Sequence, residues 1–201
     1  MSAAVKLGAA VALGLALGVA AGARVRAEAA YARADVDPVP FAARALAVPR
    51  ATIDVDGELD DPGWPSAAFA GALADERGGR ARPYTDVRVA RDDRYVYLTI
   101  YCADEDLRAT DAVHVGLGAA SFDAHPTGAL DGAPPGTKVG ADVDGTLNDP
   151  KDDDEEWVLE VAVPRAAIGP DPTPALTARR CDALKDGTVR CASLERGLDL
   201  R

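Results

Sequence analysis

Through much of the chain the apolar positions recur every second residue, in short runs broken by Gly, Pro, Asp and Asn. The clearest run spans 95–102, where Val96, Leu98, Ile100 and Cys102 alternate with Tyr95, Tyr97, Thr99 and Tyr101. A period of two is that of an extended strand with one buried face. Residues 85–90 repeat it, with Val87 and Val89 on one face, Asp86 and Arg88 on the other, and Asp92-Asp93 as the turn. In 157–163, Trp157, Leu159, Val161 and Val163 alternate with Val158, Glu160 and Ala162 until Pro164 ends the run. Shorter strands are expected at 52–55, closed by an Asp56-Gly57 hairpin turn, and at 113–117 and 138–143. Residues 121–135 read as a Gly/Pro/Asp loop, and Pro170, Pro172 and Pro174 as a rigid connector. Beyond residue 30 no long segment carries a 3.6-residue period. The pattern predicts an all-β chain folded as an antiparallel β-sandwich.

The first thirty residues follow another rule. Lys6 closes a short basic start, residues 7–23 are uncharged Ala, Val, Leu and Gly, and Ala21-Gly22-Ala23 and Ala27-Glu28-Ala29 both fit a small-x-small cleavage site. This is the layout of a secretory signal peptide over residues 1–30, with a membrane anchor as the competing reading. Residues 31–49 are expected to be a disordered leader, and 50–201 the single folded domain. The protein is therefore expected to be secreted or periplasmic.

Export changes how the cysteines are read. Cys181 and Cys191 flank Lys185-Asp186-Gly187, a turn sequence, and in an oxidising compartment they should staple a hairpin. Cys102 ends an alternating apolar run and reads as a buried thiol.

Composition narrows the function. The 201 residues hold 22 Lys+Arg against 33 Asp+Glu, a net charge of −11, which disfavours nucleic acid and anionic membranes. Two histidines, one methionine and three cysteines leave little for transition-metal or haem chemistry. Neither H-E-x-x-H nor G-x-S-x-G occurs, and no phosphate-cradling glycine loop is present, so no nucleotide and no enzymatic activity are expected.

Three segments carry a family resemblance. Ile53-Asp54-Val55-Asp56-Gly57-Glu58-Leu59-Asp60-Asp61 with Trp64 forms the first; Thr85-Asp86-Val87-Arg88-Val89, Asp92, Tyr95-Val96-Tyr97-Leu98 and Asp104 the second. Asp144-Gly145-Thr146-Leu147-Asn148 with Trp157-Val158-Leu159-Glu160-Val161-Ala162-Val163-Pro164 forms the third. Their order and spacing resemble the carbohydrate-binding module family 9-like domains of the DOMON-like superfamily, over roughly residues 50–195. The resemblance implies a jelly-roll type sandwich, glycan binding without catalysis, an association with carbohydrate catabolism, and often a structural calcium. It also implies a sugar clamped between tryptophans. Trp157 is accordingly a candidate ligand-binding residue, with core packing the competing reading for it and for Trp64.

Sugar recognition needs aromatic faces and planar hydrogen-bonding groups. Arg88, Tyr97 and Glu160 occupy the non-core positions of three strands and are expected to line the glycan site with Trp157, unless Arg88 and Glu160 merely pair across the sheet. Asp104, Asp106 and Asp111 are the candidate calcium ligands, against a solvated acidic loop. Two other functions fit the fold class: a periplasmic or surface protein-interaction module, and a haem-binding redox domain ligated by His114 and His125.

Overall fold

The computed structural model describes residues 45–151 and 153–201. The signal peptide and residues 31–44 of the expected leader lie outside the described residues. Among the described residues twelve strands form two sheets, a β-sandwich. They are β1 (Leu46–Ala47), β2 (Ala68–Ala72), β3 (Ala74–Asp75), β4 (Thr85–Arg91), β5 (Tyr95–Ala103), β6 (Val113–Leu117), β7 (Ala120–Ala124), β8 (Leu130–Asp131), β9 (Lys138–Asp144), β10 (Glu156–Pro164), β11 (Ala175–Ala183) and β12 (Val189–Asp199). One sheet runs β2-β4-β5-β10-β9; the other runs β1-β12-β11-β6-β7-β8, with β3 also on β12. All pairings are antiparallel except β1 with β12. Among the described residues no helix is long and apolar enough to cross a membrane.

The alternation sets the core. Val87, Val89, Val96, Leu98, Ile100, Cys102, Trp157, Leu159, Val161 and Val163 all point between the sheets and meet Val113, Val115, Leu117, Phe122, Leu176 and Leu198 from the other layer. Burying each large aliphatic or aromatic side chain contributes about 1.5–3 kcal/mol. Cys102 is fully buried, and burial pushes its thiol up to about 12, so it stays protonated. Cys181 and Cys191 stand directly opposite on β11 and β12 and are joined as a disulfide.

Three expectations need correction. Residues 52–55 form no strand, and Asp56-Gly57 turns no hairpin. Instead, the segment drapes over the outer face of the five-stranded sheet, where Ile53 and Trp64 pack on Ala90, Tyr97 and Ala162. Its backbone lies so close to β9 that a Cβ on Gly140 would clash with the Gly57 nitrogen. The expected loop 121–135 contains β7 and β8, because Phe122 and Ala124 alternate with Ser121 and Asp123 and bury themselves. The expected leader contributes its end to the sandwich, since Leu46 and Ala47 pair with Leu198 and Asp199. A single helical turn, α1 (Arg165–Ile168), follows Pro164, where the strand pattern ends.

Candidate functional site

The expected glycan site does not form as a surface. Glu160 is fully buried: its Oε2 accepts the N–H groups of Asp56 and Gly57, each at 3.0 Å, and its Oε1 accepts the Trp64 indole N–H. Burial raises its carboxyl, and those three donors oppose the rise. Trp157 is also fully buried, a core residue whose indole N–H donates to Asp104 Oδ2 at 3.2 Å. Tyr97 is under the draped segment, with its hydroxyl donating to Asp92 Oδ2 at 2.8 Å. Arg88 is half-buried with its guanidinium over the Phe69 ring. Arg88 and Glu160 do share a row of the sheet, but Thr99 stands between them. Arg88, Tyr97 and Glu160 do lie on one face of the sheet, as their alternation predicts, whereas Trp157 points into the core and the draped segment covers Tyr97 and Glu160.

Beyond the covered half, the same face carries Tyr84, Asp86 and Tyr101. The Tyr84 hydroxyl donates to Asp86 Oδ2 at 2.9 Å, and the Tyr84 and Tyr101 rings stand 6.1 Å apart. Asp86 Oδ1 is buried without a hydrogen-bond partner among the described residues. Burial pushes the Asp86 carboxyl up to about 6, against the Tyr84 hydrogen bond and the Arg88 charge.

One end of the sandwich is closed by ions instead of apolar side chains. On β11 the inward series Leu176, Ala178 continues as Arg180 and Asp182, both buried. Arg180 donates to Asp104 Oδ2 at 2.7 Å, pairs with Asp182 at 3.1 Å, bonds Thr85 Oγ1 and the Ala103 carbonyl, and lies over the Trp157 ring. Carboxylate oxygens of Asp104, Asp111 and Asp182 converge within 4.8 Å. Asp106 is absent from this group because it turns to Arg108, so Asp182 takes the place expected of it. Burial, reinforced by the Asp104 and Asp182 charges, pushes Asp111 up to about 6; burial raises Asp182 as well. Both histidines have other partners: His114 bonds Asp123 and Ser121, and His125 bonds the Asp111 carbonyl.

Outside this ionic layer lies a cavity of about 450 Å³. Buried Arg180, Asp182 and Thr85 form its inner wall. Residues 75–83 form one side, and 189–192, braced by the Cys181–Cys191 disulfide, form another. Arg80 reaches over the Tyr84 ring at the boundary between the cavity and the outer face. A cavity of this size suits a small ligand of one to a few rings.

No family model and no curated protein matches this chain. Two solved structures share its architecture, a carbohydrate binding module family 9 from Caldicellulosiruptor kristjanssonii in complex with cellotriose and one in complex with glucose. Each superposes with a TM-score of 0.50 at 13% identity, covering 76% of this chain and 84% or 85% of the other. This chain shares the β-sandwich fold of those two modules.

Most of the residues that line the cavity of this sandwich are not among those that the strand pattern and the motifs single out. Two signals were present. Arg77-Gly78-Gly79-Arg80-Ala81-Arg82 is a basic run in an acidic chain, and Arg180 with Asp182 sits at inward positions of an alternating strand. Charge at a core position is the mark of a buried ionic cluster or a site.

Proposed function

We propose that this chain is an exported, non-catalytic carbohydrate-binding domain of a carbohydrate-degrading system, holding its ligand in the cavity at the ionic end of the sandwich. The observation that carries this reading is the cavity itself: open, about 450 Å³, and walled by planar guanidinium and carboxylate groups that match paired sugar hydroxyls. Support also comes from the fold, shared with modules whose structures hold cellotriose and glucose. Secretion is supported by the N-terminal layout and by a disulfide, a bond that persists in oxidising compartments.

Calcium is the auxiliary ligand of this proposal. Asp104, Asp111 and Asp182 would hold it, since their oxygens are hard donors and three carboxylates against the single Arg180 charge leave an excess that a divalent cation balances. Bound there, it would supply charge neutralisation and stiffness behind the cavity.

A glycan array with the mature protein, repeated with chelator, tests the reading. Specific retention of one saccharide class, without release of new reducing ends, is the expected result. Lack of retention of any glycan in either condition rejects it.

A further inference from the structure

The rim of the cavity has the wrong sign for the rest of the molecule. In a chain of net charge −11, Arg77, Arg80, Arg82 and Arg190 surround its mouth, with Arg180 behind them. The acids nearby do not cancel them evenly. Asp75 is turned into its own loop, its Oδ1 accepting the N–H groups of Arg77 and Gly79 at 2.9 and 2.8 Å, and Asp182 is bound to Arg180. Among the described residues, Arg77, Arg82 and Arg190 make no ion pair with a carboxylate. Glu76 is the remaining acid on that rim.

Exposed arginines are ordinarily scattered among acids on a surface this acidic. Here they converge on one concavity from two separate stretches of chain, 77–82 and Arg190 on β12, and the pairing of β3 with β12 sets the second stretch beside the first. Arg190 faces Asp182 across the β11–β12 pair, which orients it on the cavity side of the sheet. A guanidinium is a planar fork of donors that is always charged, and its geometric match is a planar or tetrahedral oxyanion. A neutral sugar would leave several such forks hydrated and would gain nothing from their charge.

From this convergence we infer that the cavity takes an anionic saccharide, one bearing a uronate carboxylate or a sulfate ester, held by Arg77, Arg82 and Arg190. The inference rests on the carbohydrate-binding reading and narrows its ligand class. The negative field of the remaining surface then acts as a filter. It repels polyanions everywhere except at this mouth, so a chain end or a single charged unit is admitted where a long polyanion lying flat is not.

The test is titration calorimetry of the mature protein, in chelator so that bridging calcium plays no part, with trigalacturonate, a chondroitin sulfate tetrasaccharide and cellotriose. At low salt the expected result is affinity for at least one anionic probe tenfold or more above that for cellotriose, falling steeply with added salt. The two anionic probes separate carboxylate from sulfate recognition. In the Arg82→Ser/Arg190→Ser variant, both positions being exposed, the melting temperature should hold while the anionic affinity falls at least tenfold. Equal or better binding of cellotriose, or anionic affinity unchanged in the variant, overturns the inference and leaves the carbohydrate reading standing. Failure of all three probes overturns the inference, whereas retention of some other neutral glycan on the array would preserve the broader reading.

Discussion

Trp64 and Glu160, 96 residues apart in the chain, are bound to each other through the indole N–H and a buried carboxylate. The other oxygen of Glu160 takes two backbone N–H groups from Asp56-Gly57. Three sequence features that look independent, an Asp-Gly pair, a tryptophan and a glutamate in a late strand, are therefore one hydrogen-bonded knot. It ties the draped segment to the sheet.

Glu160→Ala should consequently destabilise the fold by about 3–5 kcal/mol, because it strands two buried donors and one half-buried one. Trp64→Phe should cost about 1–3 kcal/mol by leaving one carboxylate oxygen short of a donor. Urea denaturation measures both, and the double variant should show strong coupling between the sites. A Glu160→Ala protein within 0.5 kcal/mol (roughly experimental scatter) of the parent would contradict this account.

Arg180 neutralises part of a buried acidic cluster, so Arg180→Leu should cost about 3–5 kcal/mol. Arg180→Lys should recover only part of that loss, since an ammonium cannot bond Asp104, Asp182, Thr85 and the Ala103 carbonyl together. If calcium binds beside Arg180, it should raise the melting temperature of the parent. Asp182→Asn should abolish that rise, and Arg180→Leu should enlarge it. Differential scanning calorimetry with calcium and with chelator reads all four; a calcium response that survives Asp182→Asn counts against the ligand set.

Asp86 sets a pH dependence of its own. Its folded carboxyl is pushed up to about 6 by burial, while the unfolded group titrates near its ordinary value of 3.8. The folded state therefore holds a proton in that window that the unfolded state has lost. Above about pH 6 the buried charge destabilises the protein, and stability should rise as pH falls from about 7 toward 4. The contribution is on the order of 2–3 kcal/mol. Asp86→Asn should be more stable than the parent at pH 8 and should flatten this part of the profile. A chemical-denaturation series across that range checks the sign; a parent whose Asp86-dependent stability falls on acidification would refute it.

Most of the strand inventory was legible from alternation, because a strand with one face in the core writes its burial into every second residue. Residues 85–90, 95–102, 113–117 and 157–163 are strands in the structure, extended by one residue at four of their eight ends. The failures share a cause. Residues 52–55 have strand-like composition yet pair with no sheet, because their partner is a sheet face and not a sheet edge. Residues 120–124 pair with β6 although their Gly-, Pro- and Asp-rich surroundings read as a loop. Of the expected site, Arg88, Tyr97 and Glu160 do lie on one face, but burial converts Glu160 into a structural anchor and leaves Tyr97 under cover.

By itself the sequence determined the sandwich, the pairing of Cys181 with Cys191 and the inward sets of the long strands, since these depend on local period and on neighbours across a short turn. Only the tertiary structure decided which outward face was covered, which aspartate joined Asp104 and Asp111, and that two distant arginine-bearing stretches share one cavity. Those outcomes depend on contacts between segments far apart in the chain. No periodicity encodes them, because a side chain's exposure there is set by what another segment places on top of it.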